Sequence, residues 1–344
     1  MRRGQRLGAS KGRSLIHTGN SAHGDEQPMN WKRKALIQRV CARLPFAREP
    51  IYYGLQRHFG SLRGVPDPFW YLQICRELIV TLHEAGITVD GARVMEVGTG
   101  HGIQTPIGFF LCGAASVVTF DLHRYLKAEI VRESVKVLVG DEDRVLGTLG
   151  STVDAARIRE RLASLARCRT IDDILRIARI EYRAPGDASK TGLPDRSIDI
   201  QVSNNVFEHI PHGALNGILV EAKRILAPSG VALHRICPSD HYSEDHSILP
   251  INFLKYRQEE WDRLADNQFA YHNRLRASDY RNLYEASGHR IIGWKPTLHP
   301  ESLRALEAGF PVAPQFHGKS IEDLGTIHLT ALSSPSTAPG SVLP

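Results

Sequence analysis

The sequence predicts an α/β fold: a mostly parallel sheet with helices on both faces. Three observations carry this. From Arg93 onward, short apolar or β-branched runs alternate with segments of helical period. The first run passes into three glycines at alternate positions, and the second ends on Asp121. Strands that alternate with helices need crossover connections, and crossovers produce parallel pairing.

Taken in order, residues 1–28 are polar, basic and rich in Gly and Ser, with no period. They are expected to be a disordered tail, and Met29 is taken as the start of the folded chain. Residues 29–90 form an N-terminal helical cap. Within it, residues 31–45 place Ile37, Val40, Cys41 and Leu44 on one helical stripe ringed by Arg and Lys. Either that stripe caps the core, or the helix makes peripheral contact with an anionic membrane surface. Residues 68–85 are a second amphipathic helix. The expected strands are 93–97, 116–120, 180–183, 197–203, 231–237, 289–294 and 326–332. Helices are expected at 105–112, 212–226 and 278–287. The tail 333–344 is Ser/Pro-rich and expected to be loose.

Two connections are too long for plain crossovers. About 60 residues separate Asp121 from Tyr182, with helical patterns at 126–139, 153–166 and 171–177. About 40 more lie between Pro238 and Ala277. Both leave from the carboxyl side of strands, where open α/β sheets bind ligands. The segments 125–178 and 238–277 are therefore read as insertions into a domain spanning 91–332. They are assigned to a lid and an acceptor pocket.

The 344 residues are 42% hydrophobic, enough for a sizeable core, with a net charge of +6 and an isoelectric point near 9.1. The positive excess sits in residues 1–48, so it belongs to an arm; a nucleic-acid partner is not expected. Five cysteines, at 41, 75, 112, 168 and 237, form no CxxC pair. Neither a disulfide framework nor a zinc site is indicated, and reduced thiols point to the cytoplasm. No apolar run approaches the length of a membrane span. No apolar stretch follows the basic N-terminus, so a secretory signal is not expected.

The strongest local signal is Val94-Met95-Glu96-Val97-Gly98-Thr99-Gly100-His101-Gly102. Glycine serves where backbone takes positive φ or meets a ligand closely, and the following helix start offers free N–H groups. The G-x-G-x-G spacing differs from the dinucleotide fingerprint. Glu96 at the strand end would repel a pyrophosphate but suits a cationic ligand. Asp121, 23 residues after Gly98, can accept two ribose hydroxyls.

These residues resemble motif I and the next acidic strand end of class I S-adenosylmethionine-dependent methyltransferases. Further segments are similar to their small-molecule subgroup: Gly186-Asp187-Ala188, Leu193 to Asp199, Ser203 to Ile210 and Ala222 to Gly230. The resemblance covers roughly residues 90–237. It implies S-adenosyl-L-methionine as cofactor and a Rossmann-like, seven-stranded sheet whose last strand, 326–332, is antiparallel. It further implies a cofactor site of Glu96, Gly98, Thr99, Gly100, Gly102, Asp121 and Leu122. Asp187 would accept from the adenine amino group, Ala188 would lie at the ring, and Asn204 would line the site beyond the fourth strand. His234 to His241, Ser247 to Tyr256 and Asn273 to Tyr280 look like bacterial methyltransferases of surface polysaccharide or glycolipid assembly. The acceptor expected from this is a small molecule or glycan; RNA, protein and a non-catalytic binding role are the alternatives.

Methyl transfer to a hydroxyl needs a positioned acceptor and a place for one proton. Histidine suits that task near neutral pH. His241 is the first candidate base, His209 the second, and Asp240 stands beside His241. His234 falls within the fifth strand. Asp240, His241, Asp245 and His246 are ligand types for a metal, but their spacing is no signature, and none is expected. Phe253, Tyr256, Trp261, Phe269 and Tyr271 can stack on a sugar or form a small core. Arg235, Lys255, Arg257, Arg274 and Arg276 can hold an anion or stay solvated.

Overall fold

In the computed structural model, the described residues are 30–42, 53–54, 67–150, 153–243, 247–265 and 271–336. The tail 1–28, Leu44, Asp245, His246, Phe269 and residues 337–344 lie outside them.

Seven strands form one sheet in the order β3-β2-β1-β4-β5-β7-β6. They are β1 (Arg93–Val97), β2 (Ser116–Phe120), β3 (Ile180–Arg183), β4 (Ile198–Asn204), β5 (Leu226–Ile236), β6 (His289–Leu298) and β7 (Thr326–Pro335). β1 pairs in parallel with β2 and β4, β2 with β3, and β4 with β5. β7 runs antiparallel to both β5 and β6. The expected mostly parallel, seven-stranded sheet with an antiparallel last strand is thus present. β1 and β2 lie inside the sheet and are buried at every residue after the first, as strands covered on both faces are.

One face is covered by α2 (Pro68–Glu84), α3 (Gln104–Leu111), α4 (Ala128–Gly140), α5 (Glu142–Leu149), α6 (Ala155–Ala166) and α7 (Ile171–Ile177). Asp67 starts α2 by accepting from Phe69 N, with Pro68 at the first helical position. Val131, Val135, Leu149, Ile158 and Leu165 join Leu78 and Phe109 in one core. The helices between β2 and β3 are therefore a layer of the domain itself. The short helix α5 has no counterpart among the expected elements; Asp141 caps it by accepting from Arg144 N.

The other face carries α8 (His212–Ile225) and α9 (Ala277–Ala286), which bury Leu219, Ile225, Tyr280 and Tyr284 against Met95, Val118 and Ala232. A third cluster lies apart from the sheet. Tyr242, Ile251, Phe253 and Trp261 of the second insertion pack with Trp31 and Ala35 of α1 (Trp31–Ala42) and with Phe316. The α1 stripe differs from the expected one. Trp31, Ala35 and Cys41 are buried, while Ile37 and Val40 are 47% and 57% exposed. The insertion's aromatic rings, not the sheet, decide which face turns inward. Among the described residues no helix is long and apolar enough to cross a membrane.

Several side chains expected to be available for ligands are structural. Fully buried Arg276 donates to the carbonyls of Pro238, Asp323, Leu324 and Thr326. Arg274 donates to the carbonyls of Phe253 and Tyr256 and to Gln258. Arg235 bonds Asn204 and Asn205. Phe253, Tyr256 and Trp261 build the insertion's own core. His234 is fully buried; it is bonded through Nδ1 to Ser203 Oγ at 2.8 Å and stacked on Phe207 at 4.0 Å.

Candidate active site

The glycine loop leaves β1 at the carboxyl edge of the sheet. Gly98 takes φ +84° and Gly100 φ +65°, a region costly for residues with a Cβ. A Cβ on Gly98 would lie 2.5 Å from Val206 Cγ2, whereas the same position on Gly100 meets nothing within 4 Å. Val206 thus closes one side of the turn, and the Gly100 side is open to approach. Tyr53 stacks on His101 at 5.6 Å and donates to Glu129 Oε1, which brings the N-terminal cap over the loop.

Glu96 and Thr119 are register partners on β1 and β2. Thr119 Oγ1 donates to Glu96 Oε2 at 2.6 Å and also meets Thr99 Oγ1 at 2.6 Å. Burial pushes the Glu96 carboxyl up to about 8, against the opposing pull of the Thr119 and Thr105 hydroxyls. In this structure Glu96 is therefore a neutral acid near pH 7, in contrast to the carboxylate anticipated there.

Asp121 ends β2. Its Oδ2 accepts from Gly100 N at 2.9 Å and its Oδ1 from His123 N at 3.0 Å. Burial raises its carboxyl, and those amides partly oppose the rise. Each oxygen keeps a second lone pair. Leu122 next to it is 61% exposed, unusual for a leucine in a packed domain. Asp187 is exposed and takes both Ser189 N and Ser189 Oγ on Oδ1, while Ala188 is buried. Asn204 closes β4.

A histidine cluster stands at the carboxyl ends of β4 and β5. Phe207–His209 form a short 3₁₀ turn after β4, and His241–Ser243 a second one after β5. The His209 and His241 rings lie 4.9 Å apart, and His272 lies 4.9 Å from His241. His209 Nδ1 is 2.8 Å from the Tyr271 carbonyl, so it carries the proton that is donated. His272 donates from Nε2 to the Cys237 carbonyl and accepts from Arg274 N on Nδ1. Burial and the neighbouring His241 and His209 hold it well below the usual range, as a neutral ring. Asp240 is buried and accepts from Tyr242 N and Asn252 Nδ2. Desolvation raises it to about 6, and its bonds fix the turn that presents His241.

Sequence reasoning singled out His209 and His241 and gave no role to Glu208, His272 or Tyr53. Glu208 is fully buried, with no hydrogen bond to either carboxylate oxygen. Burial, together with the Cys237 thiol, raises it to about 8, despite the nearby amides of Glu208 and Cys237. No local signal in the sequence marks it. A cavity lined by Arg93, Ser116, Arg176 and Arg179 opens at the amino ends of β1–β3, the opposite end of the sheet.

Residues 139–234 match the family described as a methyltransferase domain. The chain is a methyltransferase. Its cofactor is S-adenosyl-L-methionine. The match runs from the end of α4 into β5 and leaves out the glycine loop and Asp121. No curated protein matches the chain.

Solved structures similar to this methyltransferase include a protein of Pyrococcus horikoshii OT3, at 14% identity and a TM-score of 0.43, covering 83% of this chain and 99% of that one. Magnesium protoporphyrin IX methyltransferase of Synechocystis PCC 6803, with bound S-adenosylhomocysteine, aligns at 11% identity and 0.41, covering 89% and 96%. A TehB-like S-adenosylmethionine-dependent methyltransferase of Corynebacterium glutamicum aligns at 12% and 0.40, covering 84% and 99%. Likenesses this distant carry no argument about what the methyltransferase acts on.

The loop's own residues suit the cofactor. Backbone is open at Gly100, Asp121 has two lone pairs for vicinal hydroxyls, and an exposed apolar side chain follows it.

Proposed function

We propose that the enzyme methylates a hydroxyl of a small molecule or glycan. The observation that carries this reading is the meeting of His209 and His241, 4.9 Å apart, on the carboxyl rim of the sheet. Val206, packed on Gly98, ties that rim to the glycine loop.

On this reading Gly98, Thr99, Gly100 and Gly102 form the backbone cradle of the cofactor. Asp121 accepts its ribose hydroxyls on the remaining lone pairs, and Leu122 covers the adenine. Asp187 accepts from the adenine amino group through Oδ2, with Ala188 at the ring and Asn204 beyond β4. Glu96 lies beneath the loop and gives up its proton when a cation arrives above it. The bound cofactor supplies an electrophilic methyl on sulfur: the acceptor oxygen's pair forms the new bond while the carbon–sulfur pair stays on sulfur. The chain's own contribution is orientation and proton handling. His241 takes the hydroxyl proton, His209 lines the same rim, and Asp240 positions His241. Five unpaired cysteines fit a cytoplasmic setting.

The test pairs His241→Ala with a radiolabelled transfer assay on lipid, polysaccharide and small-metabolite fractions. The variant should bind S-adenosylhomocysteine normally by calorimetry and lose about 100-fold or more in turnover. Full activity, or label found on nitrogen, would overturn the assignment.

A further inference from the structure

We propose that Glu208, His209 and His241 form a binding site for a first-row divalent transition-metal ion. Each offers one ligand atom, and these atoms all lie within 4.8 Å of one another. Two imidazoles and one carboxylate are the donor set that zinc and related dications take, while magnesium and calcium prefer oxygen. Around an ion with bonds of about 2.0–2.2 Å, neighbouring ligands sit roughly 3 Å apart. The trio would close by at most about 2 Å, within reach of side-chain rotation.

The independent observation is Glu208 itself. It is completely buried, and neither oxygen has a hydrogen bond. A lone buried carboxylate is expensive, and buried acids are ordinarily paired, hydrogen-bonded or bound to metal. Among the described residues no Arg or Lys is hydrogen-bonded to it: Arg274 through Nη1 and Nη2, and Arg276, donate to carbonyls and Gln258.

The surroundings are those of a ligand shell held from outside. His209 donates Nδ1–H to the Tyr271 carbonyl, which fixes the tautomer whose lone pair is on Nε2, the usual arrangement behind a metal-bound imidazole. Asn273 clamps the Glu208 turn, donating from its backbone N to the Glu208 carbonyl and from Nδ2 to the Phe207 and Ile210 carbonyls. Asp240 fixes the His241 turn through Tyr242 N. His272 has both ring nitrogens engaged, so it acts as the wall against which the His241 ring stands.

Three protein donors leave coordination positions for an oxygen of the acceptor, and a dication there acidifies a hydroxyl. This step rests on the hydroxyl-transfer reading above and changes how His241 serves it: through the ion, with the hydroxyl proton passing to solvent.

The experiment uses the full-length protein, stripped with chelator and titrated with Zn²⁺, Mn²⁺ or Co²⁺. Binding is read by calorimetry, by metal analysis after gel filtration, and by the Co²⁺ visible spectrum. One ion per chain is expected. Glu208→Gln and His241→Ala should each weaken binding at least tenfold, with S-adenosylhomocysteine affinity and far-UV circular dichroism unchanged; the control His83→Ala should bind as wild type. Absence of stoichiometric binding, or equal binding by both site variants, overturns the site. Full turnover of the stripped protein overturns the ion's part in catalysis and leaves His241 as base. Failure to bind S-adenosylhomocysteine would strike the cofactor reading alone, since the metal is measured directly.

Discussion

Replacing Glu96 by glutamine should remove a specific pH dependence of stability. Glu96 is 4% exposed and its carboxyl stands near 8, against 4.5 in the unfolded chain. Between those values the native state holds one proton more than the unfolded state, so stability falls as pH rises. Stability is greatest below 4.5 and is lost through 8. Each unit well inside this window removes about 1.4 kcal/mol, and the loss between pH 6 and 8 is about 2 kcal/mol because the carboxyl is half titrated at 8. Glutamine keeps the shape and a carbonyl for the Thr119 hydroxyl but cannot ionise. Its buried NH₂ adds a penalty that does not vary with pH. Urea denaturation followed by tryptophan fluorescence at pH 6, 7 and 8 gives both stabilities. The difference between variant and wild type should move by about 2 kcal/mol in favour of the variant across that range. Contributions common to both proteins, Glu208 included, cancel. Parallel pH profiles would refute the claim that Glu96 is protonated in the folded chain.

At the loop, Gly98→Ala puts a Cβ into Val206 at positive φ. It should cost about 1–3 kcal/mol of stability and weaken S-adenosylhomocysteine at least tenfold by calorimetry. Asp121→Ala should leave the fold intact and weaken the same ligand about tenfold or more, through two lost hydroxyl bonds. Arg276→Met strips four carbonyls of their donor. It should lower the unfolding free energy by at least about 3 kcal/mol, read as a displaced urea midpoint.

The sheet was legible because its strands carry plain signals. Ser116–Phe120 and Thr326–Leu332 are β-branched runs bounded by turn residues, and the loop after Val97 declares itself by its glycines. The α1 helix was misread because a helical period admits several stripes. Its partner, the aromatic cluster of Tyr242, Phe253 and Trp261, lies some 200 residues away in the chain. Arg274 and Arg276 look like anion ligands in sequence, yet they turn inward to carbonyls that only the folded chain exposes. His209 and His241 were identifiable from residue type and position. Glu208 was not, because nothing local says that a charged residue beside an exposed histidine points into the interior. The charge state of Glu96 was hidden for the same reason: dryness, not residue identity, decides it.

The seating of β7 constrains how the protein can be made. It is the last strand of the sheet along the chain, yet it lies between β5 and β6 rather than at a margin. A ribosome must deliver Thr326–Pro335 before β5 acquires its second neighbour. Until then, the border of the parallel half offers unpaired amides and carbonyls along Ala232–Ile236, a template for wrong partners. Translation halted just short of that point would leave a nearly complete domain with an adhesive seam, and such nascent chains should depend on chaperones far more than the finished enzyme does.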